Sequence, residues 1–254
     1  MEMGFIIAVI LITVAGLSTL IGSYYVILSK NKSHKKLGFM LGFASGVIIS
    51  LVIQELLPES KEMLFNSFSY PTSIIILIGS LLLGLILSFA LDKVLHHSEE
   101  EEDHEHCHMC NLGITTAIAL AIHKIPEGMA IFIAISQDYL TAIPLALAIA
   151  IHHIPEGMMI SAPIYYGTKD KKKALKYSLI SGLVLPISGI VGYLFLMPFL
   201  NDITMGILLS ITSSIMLFLA FTEIIPSSIK YSNKRTMVFS SLLGIIFIYM
   251  LGLI

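Results

Sequence analysis

Long apolar runs broken by short polar connections dominate this chain. A membrane-spanning helix needs about 20 mostly apolar residues. Eight segments meet that length, over residues 4–28, 37–57, 72–95, 112–135, 139–163, 174–198, 204–229 and 237–254. The pattern predicts an all-α integral membrane protein with eight transmembrane helices, residues 1–254 forming a single polytopic domain. The first run has no basic n-region and no clear small-residue cleavage site, so it reads as a retained helix rather than a signal peptide.

The connections give this pattern a direction. Lys30, Lys32, Lys35 and Lys36 fill the first, Lys169, Lys171, Lys172, Lys173 and Lys176 mark the fifth, and Lys230, Lys234 and Arg235 the seventh. The second holds only Lys61, offset by Glu59 and Glu62, and the fourth and sixth hold no lysine or arginine. Positive residues favour the cytoplasmic side. Odd-numbered connections are therefore expected inside a cell membrane and both termini outside.

Composition agrees: 56 % of residues are hydrophobic and only 13 % charged, against about 25 % charged in soluble domains. With no tryptophan, an interfacial belt would rest on tyrosines such as Tyr24, Tyr25, Tyr165 and Tyr166. The two cysteines, Cys107 and Cys110, form one C-x-x-C pair in a polar connection and set no disulfide framework.

Inside the apolar runs lie two near copies of one motif, His123-Lys124-Ile125-Pro126-Glu127-Gly128 and His152-His153-Ile154-Pro155-Glu156-Gly157. Ionisable side chains are expensive in a membrane and mark functional sites. In each copy histidine and glutamate are four residues apart, hence on one helical face. The proline between them lacks an N–H, which deprives the carbonyls of Ile122 and Ile151 of their helical partners. Brought together, His123, Glu127, His152 and Glu156 make an imidazole–carboxylate cage for a divalent metal, with zinc, iron and manganese suited to the donors. Met129 and Met158 follow at matching positions and read as packing residues.

A second echo pairs Glu55-Leu56-Leu57-Pro58 with Glu223-Ile224-Ile225-Pro226, each near the expected end of its helix. Repeats of this kind are typical of secondary transporters, whose sites lie at the repeat interface on interrupted helices. Glu55 and Glu223 would attract cations at the two mouths, or serve as ordinary interfacial carboxylates. Gly42, Gly46, Gly182, Gly189 and Gly192 permit close helix approach.

The third connection, 96–111, is a polar tract expected to be a flexible cytoplasmic loop. Five histidines fall between residues 96 and 108. His96, His97, His104, His106, Cys107, His108 and Cys110 are candidates for weak metal binding there, collecting exiting metal or reporting it to the gate.

Paired H-x-x-P-E-G motifs in consecutive helices, eight spans and a His-rich third loop resemble the ZIP (Zrt/Irt-like) family of zinc–iron permeases, over essentially the whole chain. The resemblance implies a 3+2+3 helix bundle, a homodimer, and movement of divalent metal into the cytoplasm without ATP. The lack of a G-x-x-x-x-G-K-[ST] sequence fits the last point. Many prokaryotic relatives hold a second metal beside the first. The positions that supply it correspond here to Lys124, His153 and Leu185, and a second-helix ligand corresponds to Ile48. Leucine binds no metal and an ammonium repels it. Lys124 is therefore expected to take the place of the second cation, balancing Glu127 and Glu156; otherwise it snorkels or pairs with Glu55 or Glu223. His153 stays open as a transient ligand, a proton acceptor or a packing residue, because on a helix it points about 100° away from His152.

These readings converge on a transporter of divalent metal, whether carrier or channel, with zinc, iron, manganese or cadmium as cargo. No catalytic cofactor and no nucleic-acid partner are expected; membrane lipid is. An intramembrane zinc hydrolase or a metal sensor is the alternative. The absence of H-E-x-x-H, and of a carboxylate left over as general base, weighs against the hydrolase.

Overall fold

A computed structural model of the chain describes residues 2–29, 33–96, 104–137, 139–199 and 201–252. Among the described residues every regular element is helical. The first run forms α1 (Glu2–Leu17) and α2 (Thr19–Leu28), with a break at Ser18. The second forms α3 (His34–Leu51) and α4 (Leu57–Ser67), joined through Val52–Leu56. Then come α5 (Tyr70–His96), α6 (His104–Gln137), α7 (Tyr139–Thr168) and α8 (Lys171–Val191). The seventh run is α9 (Asp202–Leu219) and α10 (Ile225–Tyr231), followed by α11 (Lys234–Leu251). Polar residues in the short connections start several helices by accepting from free backbone N–H groups: Ser33, Asp170, Asn201 and Asn233.

Six stretches of the described residues are long and apolar enough to cross a membrane: Gly4–Leu28, His34–Ser67, Tyr70–Lys93, Lys171–Phe199, Asp202–Tyr231 and Lys234–Leu251. The other two long helices, α6 and α7, carry the paired motifs. Pro126 and Pro155 lie inside these helices, which run on through them.

Both Glu-x-x-Pro echoes share one backbone device. Val52–Leu56 and Ala220–Ile224 are widened turns, closed by Leu57 N–H donating to Val52 O and by Ile225 N–H donating to Ala220 O, five residues back. Pro58 and Pro226 each follow two residues later. Proline has no N–H to give and its ring crowds the carbonyl four residues back, so a wider turn relieves the clash without ending the helix. The helix expected to stop near 57 therefore continues to Ser67, and Glu55 lies within it rather than near its end. Similarly, α6 starts at His104 rather than near 112. His104, His106, Cys107, His108 and Cys110 thus belong to its first turns, Cys110 being buried, and His96 ends α5. His97 falls outside the described residues.

Packing sorts the helices into two groups. The first is α1, α2, α6, α7 and α8; the second is α3, α4, α5, α9, α10 and α11. Contacts of α3 with α7 and of α6 with α9 join them. Within the first group, α2 and α7 touch backbone to backbone. A Cβ built on Gly157 would lie 1.8 Å from Thr19 O, and one on Gly22 would lie 1.9 Å from Ile154 O. Only glycine allows this approach, which holds the second motif against the α1–α2 break.

Candidate metal centre

Glu127 is the hub of the site. Its Oε1 lies 3.2 Å from His152 Nε2, and its Oε2 lies 3.2 Å from His153 Nε2 and 3.7 Å from His123 Nε2. Thus one carboxylate on α6 gathers an imidazole from its own helix and two from α7. All three histidines are buried, as is Glu156.

His153 owes its orientation to the break in the first run. At Ser18 the backbone N–H bonds to Val14 O and Ala15 O, and the Ser18 hydroxyl also donates to Ala15 O. The Ala15 carbonyl turns to α7 and lies 3.0 Å from His153 Nδ1. A carbonyl only accepts, so Nδ1 carries the proton and donates. In the neutral ring Nε2 then presents a lone pair to Glu127 Oε2. Two acceptors 3.2 Å apart require a cation or a proton between them. An imidazole fixed through its other nitrogen by a backbone carbonyl is the usual arrangement of a metal ligand.

Two other buried groups await a partner in the same way. Among the described residues, neither His123 nitrogen nor Glu156 Oε1 has a hydrogen-bond partner. Buried polar atoms are rarely left so, and here His123 adjoins Glu127 while Glu156 adjoins His153. Ligand atoms of Glu127, His152 and His153 lie within 4.8 Å of one another, close enough to share one ion. The donor set is purely nitrogen and oxygen, suited to first-row divalent metals.

Lys124 is fully buried, and its Nζ contacts Glu156 Oε2. It pairs with neither Glu55 nor Glu223. Glu156 Oε2 also lies 3.8 Å from His153 Nε2, so the ammonium stands beside the imidazole cluster. Leu185 is buried on α8, next to the backbone of Gly128. From the same turn of α8, Ser188 Oγ donates to the Lys124 carbonyl at 3.1 Å. Met129 fills the space over Gly192, and Met158 packs against the main apolar core, so both are packing residues.

Of the expected residues, the structure brings His123, Glu127, His152, Glu156, Lys124 and His153 together. Glu55, in the widened turn, is within electrostatic reach of His152 and Glu127. Glu223 stands apart, lining a small cavity between α5, α6 and α9 with Asp92 and Thr115. Sequence reasoning gave no sign of Ala15, whose contribution is a backbone carbonyl.

Membrane-crossing helices around a buried imidazole–carboxylate cluster, on two proline-bearing helices of repeated sequence, define a polytopic metal-handling membrane protein. Residues 97–252 match the family described as ZIP Zinc transporter. The chain is 37 % identical over 247 residues to "Zinc transporter ZupT" of Streptococcus mutans serotype c, with 94 % of each chain covered. It is 36 % identical to the protein of the same name from Clostridium perfringens, over 95 % of this chain and 93 % of that one. With the Oceanobacillus iheyensis protein of that name it shares 37 % identity over 94 % of each. The chain therefore belongs to the ZIP zinc transporter family, a family of transporters rather than enzymes.

Proposed function

We propose that the protein carries divalent metal ions, zinc foremost, across the cell membrane toward the cytoplasm through His123, Glu127, His152 and Glu156. The observation that carries this reading is the convergence of three imidazoles on Glu127 inside membrane helices, with buried donor atoms on His123 and Glu156 unpartnered. The names of the relatives support zinc as cargo. Iron, manganese and cadmium suit the same donors. His153 joins the ligand set, held by Ala15.

In this reading eight helices cross the membrane with both termini outside, which the distribution of lysines among the connections supports. Lys124 takes the place of a second cation in this reading. Its ammonium neutralises Glu156, so one ion rather than two occupies the site at a time. The carboxylates offset the cost of stripping water from a doubly charged ion. Alternating access follows from a shift of the group α1, α2, α6, α7 and α8 against the other helices, since the cluster belongs wholly to the first group. Glu55 offers the ion an approach from the side of α4. The histidines and cysteines of 96–110 would collect it on the far side, and the working unit would be a homodimer.

The test is uptake into proteoliposomes enclosing a fluorescent chelator, offering Zn²⁺, Fe²⁺, Mn²⁺ and Cd²⁺ to wild type and to Glu127→Ala. Saturable uptake lost in the variant is the expected result. Equal uptake by both proteins would overturn the assignment of the site, and no uptake of any ion would overturn transport.

A further inference from the structure

A cavity lies outside the metal centre. It occupies about 460 Å³ and is walled by Ile21 and Tyr25 of α2, Met40 and Phe43 of α3, and Ile151 and Met158 of α7. Its size falls within the range of about 300–1,000 Å³ typical of ligand sites. The lining is apolar except at one end, where Lys36 closes it. Lining positions recur at i and i+4 on α2 and at i and i+7 on α7, so the groove follows the helix axes for about 10 Å. Ile21 and Tyr25 are more than half exposed, which opens the groove sideways, toward lipid in a membrane-embedded chain.

Lys36 has no carboxylate partner among the described residues. Its Nζ contacts the Ser29 hydroxyl and lies 5.1 Å from the centre of the Tyr25 ring. A lysine, a hydroxyl and an aromatic ring thus cluster at one end of a long apolar slot. That end adjoins the lysine-rich first connection, where the interface with the cytoplasmic leaflet is expected. The charge and shape are complementary to one molecule class, a lipid with an anionic phosphate headgroup and an acyl chain.

We propose that this groove binds an anionic glycerophospholipid, the phosphate on Lys36 and Ser29 and one acyl chain lying between α2, α3 and α7. Ile151 and Met158 are on the face of α7 away from the metal centre, and the groove spans the seam between the two helix groups. A lipid seated there touches both sides of the seam.

Native mass spectrometry of the full chain, released from detergent with phosphatidylglycerol or phosphatidylcholine added, tests the proposal. Wild type should retain one phosphatidylglycerol in preference to phosphatidylcholine. One lysine–lipid contact is worth about fivefold in affinity, so Lys36→Gln should weaken phosphatidylglycerol retention about fivefold. Lys36→Arg should retain it, and so should Lys35→Gln, whose exposed side chain does not line the groove. Ile151→Trp, which fills the slot, should reduce retention of both lipids. Retention unchanged in Lys36→Gln would overturn the proposal, as would an equal loss in Lys35→Gln, which means diffuse attraction to the basic end. Loss of a dimeric species in Ile151→Trp, with lipid retention unchanged, would assign the groove to a second copy of the chain instead. None of these readouts depends on metal transport, so the proposal stands or falls apart from the transport reading.

Discussion

Lys124 and Glu156 face each other from α6 and α7 as an ion pair closed to water, the lysine 0 % exposed and the glutamate 2 %. Glu156 comes from the second motif and Lys124 from the first, so the pair ties the two half-sites together. Removing one partner of a buried pair leaves the other charged and uncompensated, at a cost of about 3–5 kcal/mol. Lys124→Met should lower the thermal unfolding midpoint in detergent markedly, and Lys124→Met combined with Glu156→Gln should recover much of the loss. A single variant melting like wild type would show that the pair contributes little.

The proposal that Lys124 replaces a cation has its own consequence. Lys124→Asn with Leu185→Glu puts oxygen donors at one position in contact with Glu156 and at a second beside Gly128. Metal analysis of the purified protein, with His96, His97, His104, His106, Cys107 and His108 replaced by alanine, should rise from one ion per chain toward two. Two ions already bound by the unaltered site would contradict the idea.

His153 is held by Ala15 O and aimed at Glu127. Losing a coordinating or orienting group at a metal site typically costs about 10–100-fold in affinity. His153→Ala should weaken zinc binding by that order in calorimetry, while His153→Phe, which preserves bulk, should weaken it as much. Normal affinity in the phenylalanine variant would assign His153 to packing.

The backbone contact of Gly157 with Thr19 sets how close α7 comes to α2. Gly157→Val must push the helices apart, and overpacking typically costs about 1–3 kcal/mol. The shift also draws His153 from Ala15, so zinc affinity should fall along with stability. Gly79→Ala, where nothing lies within 4 Å of the new Cβ, should leave both unchanged.

Metal and protons compete for the same donors. Zinc needs imidazoles and carboxylates free of protons, so binding releases whatever protons they hold. Affinity should therefore fall on acidification, by up to about tenfold per pH unit for each proton displaced. Titrations at pH 7.5 and 5.5 check the sign; tighter binding at the lower pH would refute it.

Much of this molecule is written locally. Apolar run length fixes the helices, and the four-residue spacing fixes that His123 lies with Glu127, and His152 with Glu156, on one face. Elsewhere the local reading stops short. Hydropathy marks where a helix leaves the apolar layer, not where its hydrogen bonding ends, so α4 continues to Ser67 and α6 starts at His104. Three features of the site depend on how neighbouring helices are rotated and how closely they approach. Glu127 is the hub because α6 presents its two oxygens between His152 and His153, spanning an angle that a single helix would keep open. His153 is oriented by a carbonyl 138 positions away, within reach because glycines let α7 lie against α2. Lys124 meets Glu156 rather than Glu55 or Glu223 because α6 and α7 are antiparallel neighbours in register. The sequence by itself determined which donors exist and on which helix face they sit, since those follow from periodicity. Which donors lie together, and which one pairs with a lysine, follow instead from contacts between distant segments.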